Sequence, residues 1–405
     1  MKILIVGAGG QGGPCASILS RDQDVEEIRL ADLDQSVAQK VADKINSPKI
    51  KVAAVDATKA EDVAALAEGV DVVMDFVMPW MARYVMRGAL AANAHYVNSA
   101  FDTPFWEEIA AGKGREELTL CKEFEAYGLT ALLGCGMAPG FINVLIRQQT
   151  DKLDTVESIK IRLGKEKTGG GDYDDIIVPW NPGWAPIQAL KDCADEAICF
   201  DEGKFGYVAP YAGIEEWPFA EPVGTKLVSH HSHEEPYSLP LIIGKGLQYC
   251  DFKYYVCYHP AALVSLGLAS SEEIDVKGVK VKPIDVCAAV LPKAGNAFLT
   301  EDPSKFEYTD KHVFMSMQAE VKGARDGNPV TCLIDCPQMT TPCQPIYDLF
   351  GTTLVNVALP AICGAKQIIE GAEKGVIFAE QLDPQRYLEI FNNTRYPYKW
   401  RVTEK

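Results

Sequence analysis

Apolar residues in the first third of the chain follow two alternating periods. Short runs rich in Val, Ile and Leu alternate with segments in which apolar residues recur every three to four positions. This alternation is typical of a parallel β-sheet covered by helices on both faces. The predicted strands span residues 2–6, 27–31, 51–55, 70–76, 95–98 and 129–133. The predicted helices span residues 35–45, 60–68, 81–92 and 107–127. We therefore expect a doubly wound α/β domain of five or six strands.

The pattern changes after Gly140. Proline, glycine and aromatic residues become frequent and strand-like runs dominate, which predicts a second, α+β domain. These runs span residues 158–163, 226–229, 252–256 and 313–322. Helical spacing returns over 353–371, where Pro360 should kink or interrupt the helix, and over 380–391. We expect a first domain over 1–140, an inserted second domain over 141–350, and helices over 351–405 that pack back on the first domain.

A glycine-rich motif lies between the first predicted strand and the helix that follows it. It reads Gly7-Ala8-Gly9-Gly10-Gln11-Gly12, so that Gly7, Gly9, Gly10, Gln11 and Gly12 are candidate cofactor contacts. In a Rossmann domain such a turn brings the backbone and a helix amino terminus close to a dinucleotide pyrophosphate. Asp32 ends the second strand 20 residues after Gly12, the usual place of the ribose-binding acid. A carboxylate there repels a 2′-phosphate and Leu33 offers no cation, so NAD is favoured over NADP.

Other candidate cofactor contacts follow later strands, because ligands of such sheets bind beyond the carboxyl ends of the strands. Asp56 is a candidate for the adenine side, although an acid there is as often a helix cap. Val77-Met78-Pro79 should pass near the nicotinamide half, with a plain turn as the alternative. Asn98, at the end of the fifth predicted strand, is a further candidate contact.

Two groups of titratable residues are candidates for proton transfer. Asp102 follows the fifth strand and could act as the general base, or it could cap a helix that begins near Pro104. The cluster His230-His231-Ser232-His233-Glu234 is the densest ionisable group of the second domain. In a strand His231 and His233 would share one face, so we take these two as catalytic candidates and His230 as structural. The cluster lacks an evident third and fourth metal ligand, so no metal is expected.

The turn Gly136-Met137-Ala138-Pro139-Gly140 precedes an apolar helix. Its free amides could hold a substrate carboxylate, so all five residues are candidate substrate contacts, with a simple strand-to-helix connection as the alternative. Trp180, Trp184 and Trp217 could line the same pocket or belong to the core.

Composition narrows the class of partner. With 47% hydrophobic and 23% charged residues the chain is an ordinary globular protein, and a net charge of −17 argues against nucleic acid. No apolar run reaches about 18 residues, and the glycine turn follows Met1 too closely for a signal peptide. The twelve cysteines form no CxxC pair and are expected to be reduced. We therefore expect a cytoplasmic protein without a membrane partner.

Several segments together resemble the saccharopine dehydrogenase-like family, which includes saccharopine reductase, lysine 6-dehydrogenase and carboxynorspermidine dehydrogenase. The resemblance rests on the turn of residues 131–141, on Asp32, and on segments 95–99, 232–240 and 375–380. It implies that 141–350 is a substrate and dimerisation domain, that the protein is a homodimer, and that a nicotinamide cofactor reacts at a carbon–nitrogen bond. The chain departs from the family at Asn98-Ser99, where relatives often carry an acid, and over 168–184.

These observations predict an NAD-dependent oxidoreductase of an amino acid or amino-acid conjugate, similar to lysine 6-dehydrogenase or saccharopine reductase. A polyamine dehydrogenase of the carboxynorspermidine type is the alternative within enzymes. A non-catalytic regulator that senses NAD is the alternative from another class.

Overall fold

Two β-sheets organise the chain. The computed structural model describes residues 1–102, 116–167, 180, 186–291, 296–306, 313–339, 342–397 and 400–405. Within these residues the first sheet has seven strands, all paired in parallel, in the order β17-β6-β5-β4-β1-β2-β3. They are β1 (Lys2–Val6), β2 (Glu27–Asp32), β3 (Ile50–Ala54), β4 (Val72–Asp75), β5 (His95–Asn98), β6 (Thr130–Leu133) and β17 (Gly375–Phe378).

Helices cover both faces of this sheet, so the predicted doubly wound Rossmann fold is confirmed. The helices along this part of the chain are α1 (Gly12–Ser20), α2 (Gln35–Ile45), α3 (Ala60–Ala67), α4 (Ala82–Ala91), α5 (Glu116–Thr119), α6 (Cys121–Ala126) and α7 (Phe141–Thr150). Residues 107–115 of the predicted helix 107–127 lie outside the described residues. The first third of the chain contributes six strands, β1 to β6, as predicted, and β17 adds a seventh from the carboxyl-terminal part of the chain by pairing with β6.

The second sheet is mixed. Its path runs β10-β11-β12-β7-β15-β16-β18, and β8 and β9 extend from β12. The strands are β7 (Thr155–Lys167), β8 (Ala197–Asp201), β9 (Lys204–Val208), β10 (Glu215–Pro218), β11 (Thr225–His230), β12 (Tyr249–Tyr255), β15 (Val313–Arg325), β16 (Asn328–Met339) and β18 (Arg401–Glu404). A separate hairpin consists of β13 (Ile274–Val276) and β14 (Val279–Val281). The inserted α+β domain is thereby confirmed.

The remaining helices surround the second sheet and the join between the two sheets. They are α8 (Pro186–Ala194), α9 (Glu235–Ile243), α10 (Tyr258–Ser265), α11 (Pro283–Val290), α12 (Ala297–Thr300), α13 (Gln344–Phe350), α14 (Ala358–Gly371) and α15 (Pro384–Asn393). Helix α14 packs against α1 and against β4, β5 and β6 of the first sheet.

The two faces of the second sheet differ in chemistry because side chains alternate along a strand. On one face Ile159 and Ile161 of β7 are fully buried in the main apolar core. On the other face Arg162, only 1% exposed, donates to both carboxylate oxygens of Asp251 at 2.7 and 3.0 Å. Its Nε also donates to Glu215 at 2.9 Å. The charge of Arg162 is therefore buried but paired on two sides.

Two helix predictions need correction. Pro360 does not kink α14, because the helix begins at Ala358 and the proline lies in its first turn, where an amide would have no partner within the helix. The helix predicted over 380–391 begins at Pro384 instead. Asp383 is its N-cap and accepts hydrogen bonds from the Gln385 and Arg386 amides at 2.9 and 3.2 Å.

Candidate active site

The glycine-rich turn joins β1 to α1 at the carboxyl edge of the first sheet. Gly7 has a φ of +94°, and a Cβ there would lie 3.0 Å from the Phe76 carbonyl oxygen. At Gly12 a Cβ would come within 1.7 Å of the Gly7 carbonyl oxygen, so only glycine fits. A Cβ on Gly9 or Gly10 would meet nothing within 4 Å. The turn is thus closed towards the protein and open on the other side, as the approach of a pyrophosphate requires.

Asp32 lies beside this turn. Its Oδ2 accepts a 2.8 Å hydrogen bond from the Ala8 amide, and its Oδ1 accepts one of 3.1 Å from the Asp34 amide. The next side chain, Leu33, is 77% exposed and supplies no positive charge. Gln11 is the N-cap of α1, and its Oε1 is buried with no donor among the described residues. This geometry fits a dinucleotide, and it fits the predicted ribose contact of Asp32.

Asp56 makes local contacts. Its Oδ1 accepts hydrogen bonds from the Thr58 amide at 3.0 Å and the Thr58 hydroxyl at 2.6 Å, and Lys59 Nζ lies 3.3 Å from Oδ2. These contacts form a turn just before α3. They support the capping alternative, and the predicted contact with adenine stays a prediction.

The segment after β4 lies next to the glycine-rich turn. A Cβ on Gly7 would lie 3.2 Å from the Val77 side chain, and the Val77 amide donates to Asp75 at 2.9 Å. Met78 then precedes a 3-10 helix that begins at Pro79. This position supports the prediction that residues 77–79 pass near the cofactor.

A buried chain of hydrogen bonds crosses the ends of β4, β5 and β6. The Tyr96 hydroxyl donates to Asp75 at 2.7 Å and accepts from the Asn98 amide group at 3.2 Å. The Asn98 Oδ1 then accepts from the Gly134 amide at 2.8 Å. Asn98 is only 2% exposed, so the structure places this predicted cofactor contact inside the sheet edge. The amide nitrogen of its side chain binds Tyr96, and the oxygen binds the Gly134 amide just after β6.

The turn after β6, Gly136 to Gly140, is closely folded. Gly140 has a φ of +132°, and a Cβ on it would lie 2.1 Å from the Gly136 carbonyl oxygen. The Gly136 amide donates to the Pro139 carbonyl at 2.7 Å, and the Gly140 amide donates to the Asn143 Oδ1 at 3.0 Å. The turn is therefore held by its own backbone and by one side chain of α7.

These bonds correct the expectation that the turn offers free amides. Besides the Gly136 and Gly140 amides, the Phe141 amide donates to Gly136 at 2.8 Å. The amides of Met137 and Ala138 donate to no backbone acceptor in the described part of the chain. Any substrate carboxylate held by this turn would therefore bind at Met137 and Ala138.

Glu380 follows β17 and is 1% exposed. Its Oε2 accepts from the Asn143 amide group at 3.1 Å, which ties it to the turn after β6. Burial raises the pKa of Glu380 to about 7, and the nearby Glu235 carboxylate adds to the rise against hydrogen bonds that lower it. A buried acid thus stands at the carboxyl edge of the sheet.

Helix α9 connects this edge to the histidine cluster. Tyr237 of α9 packs on Phe101, just beyond β5, and on Phe378, at the end of β17, with ring centroids 6.5 and 6.3 Å apart. Glu235, His233 and His231 lie two, four and six residues before Tyr237 in the sequence. The cluster therefore lies at the join between the first sheet and the second.

His231 and His233 lie beyond the end of β11 rather than in it, because the strand ends at His230. They still face the same way, since both rings stack on alternate residues of β12. His233 lies 3.9 Å from the Phe252 ring, and His231 lies 4.9 Å from the Tyr254 ring, between centroids. His230 lies on the opposite face, with its Nδ1 4.0 Å from Asp251.

Carboxylates surround His233. Its Nδ1 lies 2.5 Å from Glu235 Oε2 and 3.4 Å from Glu234 Oε2. Burial alone would lower the pKa of His233, but Glu235, Glu234 and Asp192 raise it to about 9. Burial lowers the pKa of the neighbouring His231 to about 3, with a smaller contribution from His233. At neutral pH His233 is therefore the charged histidine and His231 the neutral one.

Burial also shifts the pKa of acids around His233. It raises the pKa of Asp192 to about 7 and that of Glu234 to about 8, although His233 lowers both. Glu235 is completely buried, and its Oε1 has no donor among the described residues. The group has more carboxyl groups than cations, and a further cation would stabilise their ionised forms.

The ligand atoms of His233, Glu234 and Glu235 lie within 4.8 Å of one another, a spacing that admits a metal ion. However, two ligands of one tetrahedral zinc are about 3.3 Å apart. His233 Nδ1 and Glu235 Oε2, at 2.5 Å, are hydrogen-bonded to each other. The arrangement is that of an ion pair, and the expectation of no metal stays a prediction.

Other candidates are placed less fully. Asp102 is partly buried next to Phe101, while Pro104, near which a helix was predicted to begin, lies outside the described residues. Trp180 packs with Leu190 in a small core, and Trp184 lies outside the described residues. Trp217 donates to Gln318 at 2.9 Å and lies over Arg162, on the sheet face opposite the histidines. It therefore does not line the candidate site.

An apolar cavity lies beside the Gly136 turn. Met137, Phe141, Gln338, Tyr396 and Trp400 are among its lining residues, and the Gln338 amide group lies 3.3 Å from the Met137 sulfur. None of the charged residues around His233 lines it. The cavity therefore offers room beside the turn but no charged group for catalysis.

The sequence did not single out Asp192, Glu235 or Glu380 as site residues. Each lies in or next to an apolar segment, and Glu235-Pro236 reads as an ordinary helix start. The signal in the sequence was an acidic residue within or next to an apolar segment that must be buried. A buried charge costs free energy unless it is paired, so such an acid points to a partner or a ligand.

Two further predictions concern disulfide bonds and membrane-spanning helices. No disulfide joins any of the twelve cysteines, all of which lie in the described part of the chain. Among the described helices, none has the length and apolar character needed to cross a lipid bilayer.

Known proteins resemble this chain over most of its length. Residues 3–132 match the family described as Saccharopine dehydrogenase NADP binding domain. The predicted resemblance to the saccharopine dehydrogenase-like family is confirmed. Carboxyaminopropylagmatine dehydrogenase of Synechocystis sp. is 23% identical over 411 residues, covering 98% of this chain and 96% of that protein. Carboxynorspermidine synthase of Vibrio alginolyticus is 23% identical over 436 residues, covering 100% of this chain and 97% of that protein.

Among solved structures, saccharopine dehydrogenase (L-Glu forming) of Saccharomyces cerevisiae has the same fold. It covers 100% of this chain and 99% of its own, with 14% identity and a TM-score of 0.69. The chain is similar to the saccharopine dehydrogenase-like family, and it is a nicotinamide-dinucleotide-dependent oxidoreductase with a Rossmann domain, as the sequence predicted.

Proposed function

We propose that this enzyme transfers a hydride between NAD and a carbon–nitrogen bond of a substrate that carries a carboxylate and a separate positive charge. The observation that carries the proposal is the group of Asp192, Glu234 and Glu235 around His233, beside the carboxyl edge of the Rossmann sheet; Glu235 is buried, and Asp192 and Glu234 are partly buried. Glu380 belongs to the same acidic surroundings. A substrate amine or guanidinium would supply the missing positive charge, since a cleft lined by one sign of charge attracts the other.

The chemistry needs three functions. Bound NAD supplies the hydride acceptor, and NADH the hydride donor in reverse. In oxidation, a base of the protein takes the proton from the substrate nitrogen while the hydride leaves the adjacent carbon, so that an imine forms. In reduction the same group returns the proton. Asp102 and His233 are the candidates for this role, and the Met137 and Ala138 amides are the candidates for holding the substrate carboxylate.

The order of preference among substrates follows from the acidic group. Carboxyaminopropylagmatine dehydrogenase and carboxynorspermidine synthase bear the names of carboxylated polyamines, whose extra nitrogen atoms are cationic at neutral pH. A polyamine conjugate would place one such nitrogen among the acids around His233. An amino-acid conjugate of the saccharopine type, or lysine itself, is the second candidate, since lysine also carries an extra ammonium.

A substrate panel tests the proposal. NADH formation is measured with carboxyalkyl polyamines, saccharopine-type conjugates, lysine and 2-hydroxy acids, and NADH consumption is measured with matching aldehyde and amine pairs. We expect turnover only with nitrogen compounds, and the highest kcat/KM with the polyamine conjugates. Turnover of a hydroxy acid with none of any amine would contradict the carbon–nitrogen assignment.

A variant and a matched control test whether the acids around His233 bind the substrate. Glu235→Gln removes one buried carboxylate, so KM for the cationic substrate should rise about tenfold or more while NADH affinity stays unchanged. Glu272→Gln, an exposed loop variant, is the matched control. An unchanged KM for the cationic substrate in the folded Glu235→Gln enzyme would rule out a substrate contact. If NADH binds tightly but no amine reacts, the NAD-sensing regulator becomes the better description.

The cofactor preference, the oligomeric state and the location complete the proposal. Asp32 supports NAD over NADP, and the absence of disulfides among the twelve cysteines is compatible with a reducing cytoplasm. A homodimer is supported by exposed apolar side chains on α10 and α11, such as Tyr258 (62%) and Val290 (77%). Light scattering in solution measures the mass: a monomer at micromolar concentration would contradict the dimer.

A further inference from the structure

The second domain reaches the glycine-rich turn through the segment Asn296 to Glu301, which includes α12. The Asn296 Nδ2 donates a 2.8 Å hydrogen bond to the Ala8 carbonyl, across 288 residues of sequence. The side-chain amide is the donor, because a carbonyl oxygen can only accept. Phe298, 1% exposed, covers α1 so closely that a Cβ on Gly13 would lie 2.9 Å from its ring.

This segment is anchored on both sides of the turn. Lys44 of α2 donates to the Phe298 and Glu301 carbonyls at 2.5 Å each, and its ammonium lies 5.0 Å from the Phe298 ring centroid. The Thr353 amide donates to the Glu301 carboxylate at 2.7 Å. The position of Asn296 is therefore set by contacts that do not involve a cofactor.

Ala8 is held at both of its backbone groups. Its amide donates to Asp32 at 2.8 Å, and its carbonyl accepts from Asn296. The peptide unit that joins Ala8 to Gly9 is planar and trans, so the Ala8 carbonyl and the Gly9 amide point in opposite directions. A carbonyl held towards the second domain therefore directs the Gly9 amide away from it. Around Gly9 and Gly10 the nearest atoms to an added Cβ lie beyond 4 Å.

We propose that Asn296 is a positioning residue for the dinucleotide: by holding the Ala8 carbonyl, it turns the Gly9 amide towards the pyrophosphate. The glycine motif lets the backbone adopt this turn, and the side chains of Asp32 and Asn296 fix its orientation. Because Asn296 belongs to the second domain, the cofactor site is completed by a residue far outside the sequence motif. This role is independent of which amine the enzyme uses.

The test measures binding of NADH by fluorescence titration, with ADP-ribose and adenosine as competing ligands. In Asn296→Ala the Gly9 peptide loses its restraint, so Kd for NADH and ADP-ribose should rise about five- to tenfold, the scale of one hydrogen bond. Adenosine lacks a pyrophosphate, and its affinity should stay unchanged.

Asn328→Ala is the matched control, because Asn328 also donates its side-chain amide to a backbone carbonyl, that of Asp326 at 3.1 Å, in a distant hairpin. It should bind all three ligands normally. Asn296→Asp keeps the shape but removes the donor and adds a negative charge, so it should weaken NADH and ADP-ribose at least as much as Asn296→Ala. Unchanged NADH affinity in either folded variant overturns the proposal. An equal loss for adenosine also overturns it, because that result would show a general disturbance of the domain.

Discussion

The Tyr96 hydroxyl of β5 donates a 2.7 Å hydrogen bond to the carboxylate of Asp75, the last residue of the neighbouring parallel strand β4. Through Asn98 the same hydroxyl is connected to the Gly134 amide, at the start of the turn that precedes α7. The chain thus links the segment beside the cofactor turn to the segment predicted to hold the substrate. Its members are buried, so its contribution to stability can be measured.

Tyr96→Phe should lower the free energy of unfolding by about 1–3 kcal/mol, because it leaves buried polar groups of Asp75 and Asn98 with one partner fewer. Urea denaturation of the purified variant measures the change. Tyr127→Phe, at a side chain that is 65% exposed, is the control and should change stability by less than about 0.5 kcal/mol. A Tyr96→Phe protein as stable as the parent would show that these hydrogen bonds contribute nothing net.

Asp75 should make stability depend on pH. Burial raises its pKa from 3.8 to about 6, against hydrogen bonds that lower it. Between these two values the folded state binds a proton that the unfolded state has lost, so this contribution is fully present below pH 3.8 and is lost as the pH rises through 6. Asp75→Asn should therefore flatten the fall in stability between pH 4 and 6. Denaturant midpoints across that range measure it, and an identical slope in the variant would contradict it.

Asp32→Ala should raise KM for NAD about tenfold and reduce the preference for NAD over NADP, because it removes a ribose acceptor and a charge that repels the 2′-phosphate. Part of this loss of NAD affinity comes from the hydrogen bond between the Ala8 amide and Asp32, which the substitution also removes. Asp34→Ala is the control: Asp34 caps α2 by accepting from the Ser36 amide, so its loss should lower stability without changing cofactor preference. Unchanged kinetics with both cofactors would show that Asp32 is not the ribose ligand.

The sequence predicted the Rossmann part well because its signals are local. Strands 2–6 and 95–98 and helix 35–45 match the structure at both ends, and the glycine turn has the geometry that its motif implies. β17 was missed because four residues near the end of the chain gain their place only by pairing with β6. β16 was missed although Asp326-Gly327, both with positive φ, is a strong hairpin signal.

The site was predicted less completely for the same physical reason. Motif and spacing identified Asp32 and the histidines, but the partners of those residues come from distant parts of the chain. Glu380 and Asn296 act through hydrogen bonds that span 237 and 288 residues of sequence. The turn at Gly136 was recognised, yet its internal hydrogen bonds depend on a fold of the backbone that residue types alone do not specify.

Asp102→Asn separates two roles that the sequence left open. If Asp102 is the general base, turnover should fall about a hundredfold while NADH affinity is kept. Asparagine caps a helix as well as aspartate does, so a capping role predicts normal turnover and normal stability. Asp71→Asn, which alters an acid near the amino-terminal end of β4, is the control and should leave turnover unchanged. Single-turnover kinetics at saturating NAD measure the chemical step.

His233 is the other candidate base, and its charge gives a distinct pH dependence. Burial alone would lower its pKa, but the carboxylates of Glu235, Glu234 and Asp192 raise it to about 9. A base acts only when deprotonated, so amine oxidation through His233 should rise with pH and level off above about 9. His233→Gln should abolish this rise and lower turnover about a hundredfold, whereas His259→Gln, in α10, should leave the profile unchanged. The pH dependence of kcat is measured for both variants with saturating NAD. If His233→Gln keeps the alkaline rise, its midpoint belongs to another group, such as the substrate ammonium, and His233 is then a partner of the buried acids and not the base.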